Sequence, residues 1–197
     1  MVAPGAWGRE LLQVRLAQPD RRSCGAAVLV VEEALRNERF ARRLVAGGPA
    51  AFAGEVLAMH RRTTGAVDVA GRLQAPWTRV AGTPPWAVAR HLSRRTGVPR
   101  SVVLVWPWRR GQVLGRVRAA LDAGHPVPLF VGGRLMPRHV LLAVSQDRDK
   151  QRGGQRGGLV VYDPTPGRAR RITSAQFVTG PLAGVGWPVP WFAVLPD

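Results

Sequence analysis

With 197 residues, 46% of them hydrophobic, the chain is long enough for one domain with a full core, and it lacks the run of about eighteen apolar residues that a membrane-spanning helix needs. A single cysteine, Cys24, excludes an internal disulfide and leaves no thiolate cluster for a structural zinc, so no cofactor or metal is expected. The net charge of +17 suits a polyanionic partner, but it is almost all arginine (Lys150 is the sole lysine) and is spread along the chain, which fits a generally basic surface better than a dedicated nucleic-acid site.

Glu10 to Ala17 alternates loosely, as an edge strand or as a lead-in that positions Gln18. Ser23 is placed to N-cap a helix from Cys24 to about Asn37, with Ala27, Val30, Val31 and Ala34 on one face. Gly47-Gly48-Pro49 interrupts the chain, and Ala50 to Arg62 reads as a second helix. Residues 63–82 carry no clear period. Thr83 as a cap and Pro84 near the first turn then open a third helix that ends at Gly97.

Beyond Gly97 the pattern changes to strands. Ser101 to Trp106 is a β-branched run, and Gln112 to Ala123 is an amphipathic helix closed by Gly124. Val127 to Val131, Arg138 to Val144, Leu159 to Tyr162, Arg168 to Ile172 and Trp191 to Leu195 read as strands, with turns at Gly132-Gly133 and Thr165-Pro166-Gly167. The expected architecture is one α+β domain over residues 1–197: a helical part at about 18–97 packed on a mainly antiparallel sheet at about 101–195. The tandem repeat Gln-Arg-Gly-Gly at residues 151–158 lies between two strands and reads as a hairpin tip rather than an RNA-binding segment. Met1 to Glu10 lacks a basic region followed by an apolar core, so no secretory signal is expected and a cytoplasmic location is the default.

Four residues carry the chemistry. Cys24 directly precedes an apolar helical run, where unpaired backbone N–H groups and the helix dipole favour a thiolate. Gly25, Ala26 and Ala27 are small enough to let a substrate backbone approach the sulfur. Gln18, six residues upstream, has an amide able to donate to a developing oxyanion. His139 heads an apolar strand, where a histidine needs a polar partner, and Asp163 ends the following strand. A nucleophile, a base and an orienting carboxylate in this order suit acyl transfer through a thioester. His60 and His91 fall in helices beside arginines and read as solvated surface residues, while His125 reads as a turn residue. The tryptophans, including Trp77, Trp86, Trp106 and Trp108, read as core and rim packing, with a ligand groove as the alternative.

The stretch Gln18 to Ala27, with a glutamine, five residues and then Cys-Gly-Ala-Ala, resembles the active site of papain-like cysteine peptidases of the bacteriocin-processing type and their standalone relatives. The order of Gly124-His125-Pro126-Val127, a strand from His139 to Val144, and Tyr162-Asp163-Pro164 with Gly167 beyond extends the resemblance over about residues 13–178. It implies a papain-like fold with Gln18 as oxyanion donor, Cys24 as nucleophile, His139 as base and Asp163 as orienting acid. The chain departs from the family's pattern at Ser23, where aspartate is frequent, and at Val140, where an aromatic is usual. Leu141 stands where a transglutaminase-like protein would carry an aromatic. The expected function is therefore cysteine-dependent hydrolysis of an amide, a peptide bond foremost, in a peptide or protein substrate that the basic surface would favour as acidic. A transferase using the same triad and a non-catalytic papain-like binding module are the alternatives.

Overall fold

The computed structural model describes residues 10, 11, 13–147 and 157–197. Most of the repeat at residues 151–158 therefore lies outside the described residues.

The centre of the fold is helix α1 (Cys24–Arg36). Every residue from Cys24 to Glu32 is buried, together with Ala34 and Leu35, so the helix is enclosed on nearly all sides rather than along the one apolar face expected. Three valines would weaken an exposed helix, but here burial outweighs propensity. Glu32, only 1% exposed, is neutralised by the Arg36 guanidinium through bonds of 2.7 and 2.9 Å. Asn37 ends α1 and its side chain accepts from Phe40 N, capping α2 (Glu38–Thr64). Gly48, at φ 64° and ψ −159°, interrupts α2, so the expected break is a kink within one helical stretch. Helix α3 (Pro85–Thr96) ends at Gly97 in the left-handed region, as its glycine suggests. Thr83 does not cap it: the cap position is Pro84, and Thr83 packs instead against Gly25 of α1.

Strand β1 (Arg100–Leu104) leads to α4 (Arg110–Asp122), then β2 (Val127–Gly132), β3 (Pro137–Asp147), β4 (Gly158–Asp163), β5 (Arg168–Ile172), α5 (Ser174–Thr179) and β6 (Val189–Pro196). They form one sheet in the order β1-β6-β2-β3-β4-β5, with every adjacent pair antiparallel. The last strand thus enters the middle of the sheet, between β1 and β2. Phe130, Val140, Leu142, Tyr162 and Val194 face α1, α2 and α3. Leu129, Val131, Leu141, Val161 and Ala193 face the other way, against Val113 and Val117 of α4 and Phe177 of α5. Helices therefore cover both sides of the sheet, which is why β2 is buried at every residue instead of alternating. The domain is α+β as expected, but α4 and α5, read as parts of the sheet half, form a third layer.

One other expectation fails and a second holds in part. His60 and His91 are buried, at 6% and 5% exposure, because each sits on the inward side of its helix; neighbouring arginines reveal nothing about which side packs. None of Trp77, Trp86, Trp106 and Trp108 is in the core: the first three are rim residues at 37%, 45% and 46% exposure and Trp108 is 75% exposed, arranged as an edge-to-face pair (Trp77–Trp86) and a stacked pair (Trp106–Trp108).

Burial, reinforced by the guanidinium groups of Arg62, Arg95 and Arg36, pushes His91 down to about 3. The folded chain keeps His91 neutral where the unfolded chain takes up a proton, so stability falls as the pH drops below about 6.5. The urea midpoint should decline between about pH 6.5 and 5, and His91→Gln should flatten that decline. An equal slope in both proteins would contradict the assignment.

Candidate functional site

The lead-in that carries Gln18 is tied to the far side of the sheet. Leu16 N donates to Gly167 O and Gln18 N to Pro164 O, each at 2.9 Å, while the buried Tyr162 hydroxyl donates to Leu16 O. Gly167 is required here: it sits at φ +65°, and a Cβ would collide with the backbone of Leu16 and Ala17. Gln18 is thereby seated beside the turn that follows Asp163. Its side-chain Oε1 is buried with no hydrogen-bond partner.

Asp20 builds the turn from Gln18 to Cys24. Its Oδ1 accepts from Arg22 N at 2.7 Å and Ser23 N at 2.9 Å. Burial opposes its ionisation, but bonds from Arg22 and Ser23 hold the carboxyl below its usual range. Ser23 occupies the cap position through its backbone, with Ala27 N donating to Ser23 O at 2.8 Å, yet its side chain makes no cap bond. Ser23 is thus the cap residue as expected, but through its backbone alone, while Asp20 orders the turn before it. Cys24 is the first residue of α1, and the amides of this first turn have no acceptor within the helix. Gly82 and Thr83 lie over the same turn: a Cβ at Gly25 would come 2.8 Å from Thr83 Cβ, and one at Gly82 3.2 Å from Arg22 O. No side chain larger than hydrogen fits at position 25.

His139 lies near the start of β3, paired across from Val131, and Asp163 ends the adjacent strand β4. His139 Nε2 and Asp163 Oδ1 are 2.8 Å apart, with the residues 5% and 3% exposed. This bond leaves Nδ1 as the ring nitrogen that can serve Cys24. Asp163 Oδ1 also accepts from Thr165 N at 3.1 Å, and its Oδ2 lies 3.9 Å from Arg170 Nη1. The Trp187 ring stacks on the imidazole, with centroids 5.8 Å apart and planes inclined by 26°. Burial pushes His139 down, but hydrogen bonds to Asp163 and Cys24 and the negative charge of both push it up to about 9.

The structure brings Cys24, His139 and Asp163 together at one end of the sheet, and it seats the backbone of Gln18 on the Asp163–Gly167 turn. Trp187, Arg170 and Thr83 also belong to this neighbourhood. Sequence reading missed all three, because a lone tryptophan, an arginine among many and an apparent helix cap carry no local mark of the site. Among the described residues no three His, Cys, Asp or Glu side chains gather as metal ligands, and no helix is long and apolar enough to cross a membrane. Comparison with protein-family models and with curated proteins returns no significant match.

A raised imidazole contributes stability that is full below about pH 6.5 and is lost as the pH climbs through about 9. In NMR titrations His139 should therefore keep its proton through neutral pH, and Asp163→Asn should lower its midpoint by about one unit or more. A wild-type midpoint near 6.5 would contradict the ion-paired site.

Proposed function

We propose that the chain is a cysteine-dependent amide hydrolase of papain-like type, acting on peptide bonds through a thioester. One observation carries this reading: a buried histidine bonds a buried aspartate through Nε2 at 2.8 Å, and the single cysteine, which starts the central helix, lies close enough to help keep that ring protonated. A structural cysteine in a core has no need of a charged histidine, whereas a thiolate nucleophile does. The resemblance of Gln18 to Ala27 and of the His139 and Asp163 strands to bacteriocin-processing peptidases supports the same assignment.

In the reaction, the Cys24 thiolate attacks the amide carbon and the carbonyl electron pair moves to oxygen. The Cys24 backbone N–H and the Gln18 amide receive that oxyanion. As the tetrahedral species collapses, the His139 imidazolium passes its proton to the leaving amine and the C–N bond breaks. His139, now neutral, takes a proton from water, the resulting hydroxide attacks the thioester, and the carboxylic acid leaves as the ion pair is restored. Asp163 holds the imidazole in orientation and stabilises its charge, and Trp187 stacks on the ring.

The exposed tryptophan pairs favour a second reading, a binding module without turnover, and three variants separate the two. Against an internally quenched peptide library, Cys24→Ala should abolish cleavage. Gln18→Ala should lower it about 10²–10³-fold while leaving alkylation of Cys24 by iodoacetamide unchanged, because alkylation develops no oxyanion. His139→Ala should slow alkylation at neutral pH. Absence of cleavage by the wild type across the library, with alkylation matching an ordinary thiol, would favour the binding module.

A further inference from the structure

The Cys24–His139 end of the sheet also carries an exposed surface that the proposed chemistry does not use. Strands β1 and β6 bring Leu104 opposite Phe192, and Val105 N donates to Trp191 O, so Trp106 and Trp108 follow directly beyond this end. The Trp191 indole in turn donates to Gly133 O at 2.9 Å, which ties the same corner to the β2–β3 hairpin. That hairpin places Leu135, 91% exposed, between the strand end and His139. Trp106 and Trp108 stack at 5.0 Å with planes only 16° apart and form a rigid flat face. Arg109, Arg134 and Arg138 are exposed beside these residues, and none has a carboxylate partner among the described residues. Segments 104–110, 132–139 and 186–192 contain no aspartate or glutamate.

A soluble surface gains nothing by displaying two tryptophans and a leucine unless something covers them. The flanking guanidinium groups, uncompensated within the corner, select an anionic occupant. We propose that this corner is a docking surface for the substrate: a protein segment that presents an apolar or aromatic side chain to the Trp106–Trp108 face and acidic side chains to Arg109, Arg134 and Arg138. The proposal rests on the hydrolase reading for the word substrate, but the surface itself does not. From β1 through β6 and β2 to β3 is three strand spacings, about 14 Å. An extended chain covers that distance in about four or five residues, so the docked side chain lies that far along the substrate from the bond at Cys24. Short substrates would bind only at the reacting centre.

The experiment is selection of a random twelve-residue phage-displayed library on Cys24→Ala, which binds without cleaving. Enriched sequences should combine acidic residues with one apolar or aromatic residue. Trp106→Ala and Trp108→Ala should each weaken a selected synthetic peptide about tenfold, and Arg134→Gln with Arg138→Gln should reduce the salt dependence of its binding. All four positions are exposed, so these variants keep the fold. Incubation of selected peptides with wild-type protein then reports on the chemistry separately: peptides that bind and remain uncut would leave the surface standing and count against the hydrolase. Enrichment with no acidic or apolar bias, or affinity unchanged in both tryptophan variants, would overturn the surface. So would a single-stranded thymidine dodecamer binding more tightly than the selected peptides through the same tryptophans.

Discussion

The fold depends on the burial of one helix. α1 is enclosed from Cys24 to Glu32 by the sheet on one side and by α2 and α3 on the other, which leaves it little freedom to slide or rotate. Its N-terminus is held by the Asp20 turn below and by Gly82 and Thr83 above. Whatever side chain begins this helix is therefore delivered to a fixed point at the end of the sheet, and that side chain is the only thiol in the chain. Burial energy spent on an otherwise ordinary apolar helix becomes positional accuracy for the thiol.

The opposite partner is fixed by a different device. β3 and β4 are neighbours in the middle of a sheet covered on both faces, so His139 and Asp163 sit on backbone that cannot easily shift. A buried histidine would ordinarily shed its proton. Here the carboxylate and the sulfur reverse that tendency, and Trp187 stacks on the face of the ring. Arg170 on the second carboxylate oxygen competes mildly for the same charge from a partly exposed position.

How much of this was legible in the sequence follows from which interactions are local. Helix starts and ends, strand runs and glycine turns are written in neighbouring residues, and most were placed within a few positions: Cys24–Arg36, Val127–Gly132 and Arg168–Ile172 are examples. Gln18, Cys24, His139 and Asp163 could be picked out because each stands at an element boundary, where chemistry and secondary structure coincide. What depends on distant packing was not legible. His60 and His91 looked solvated because their sequence neighbours are charged, yet the helices turn them inward. Thr83 looked like a cap but is the residue that seats the Cys24 turn. The insertion of β6 between β1 and β2 has no local signal, and it creates the corner where Trp106, Trp191 and the β2–β3 hairpin meet.

Cys24 acting as a nucleophile primed by His139 can be tested without knowing the natural substrate. The measurement is intact-mass and peptide mapping after brief exposure to p-nitrophenyl acetate at pH 6, where an ordinary thiol of pKa about 8.5 is almost wholly protonated. A primed pair should release about one equivalent of nitrophenolate in a burst, place a single acetyl group on Cys24, and lose it by hydrolysis with time. His139→Ala should show neither burst nor adduct. Acetylation only at Lys150 or the amino terminus, or a Cys24 adduct that forms equally in His139→Ala, would contradict a primed cysteine and leave a buried, unreactive thiol in its place.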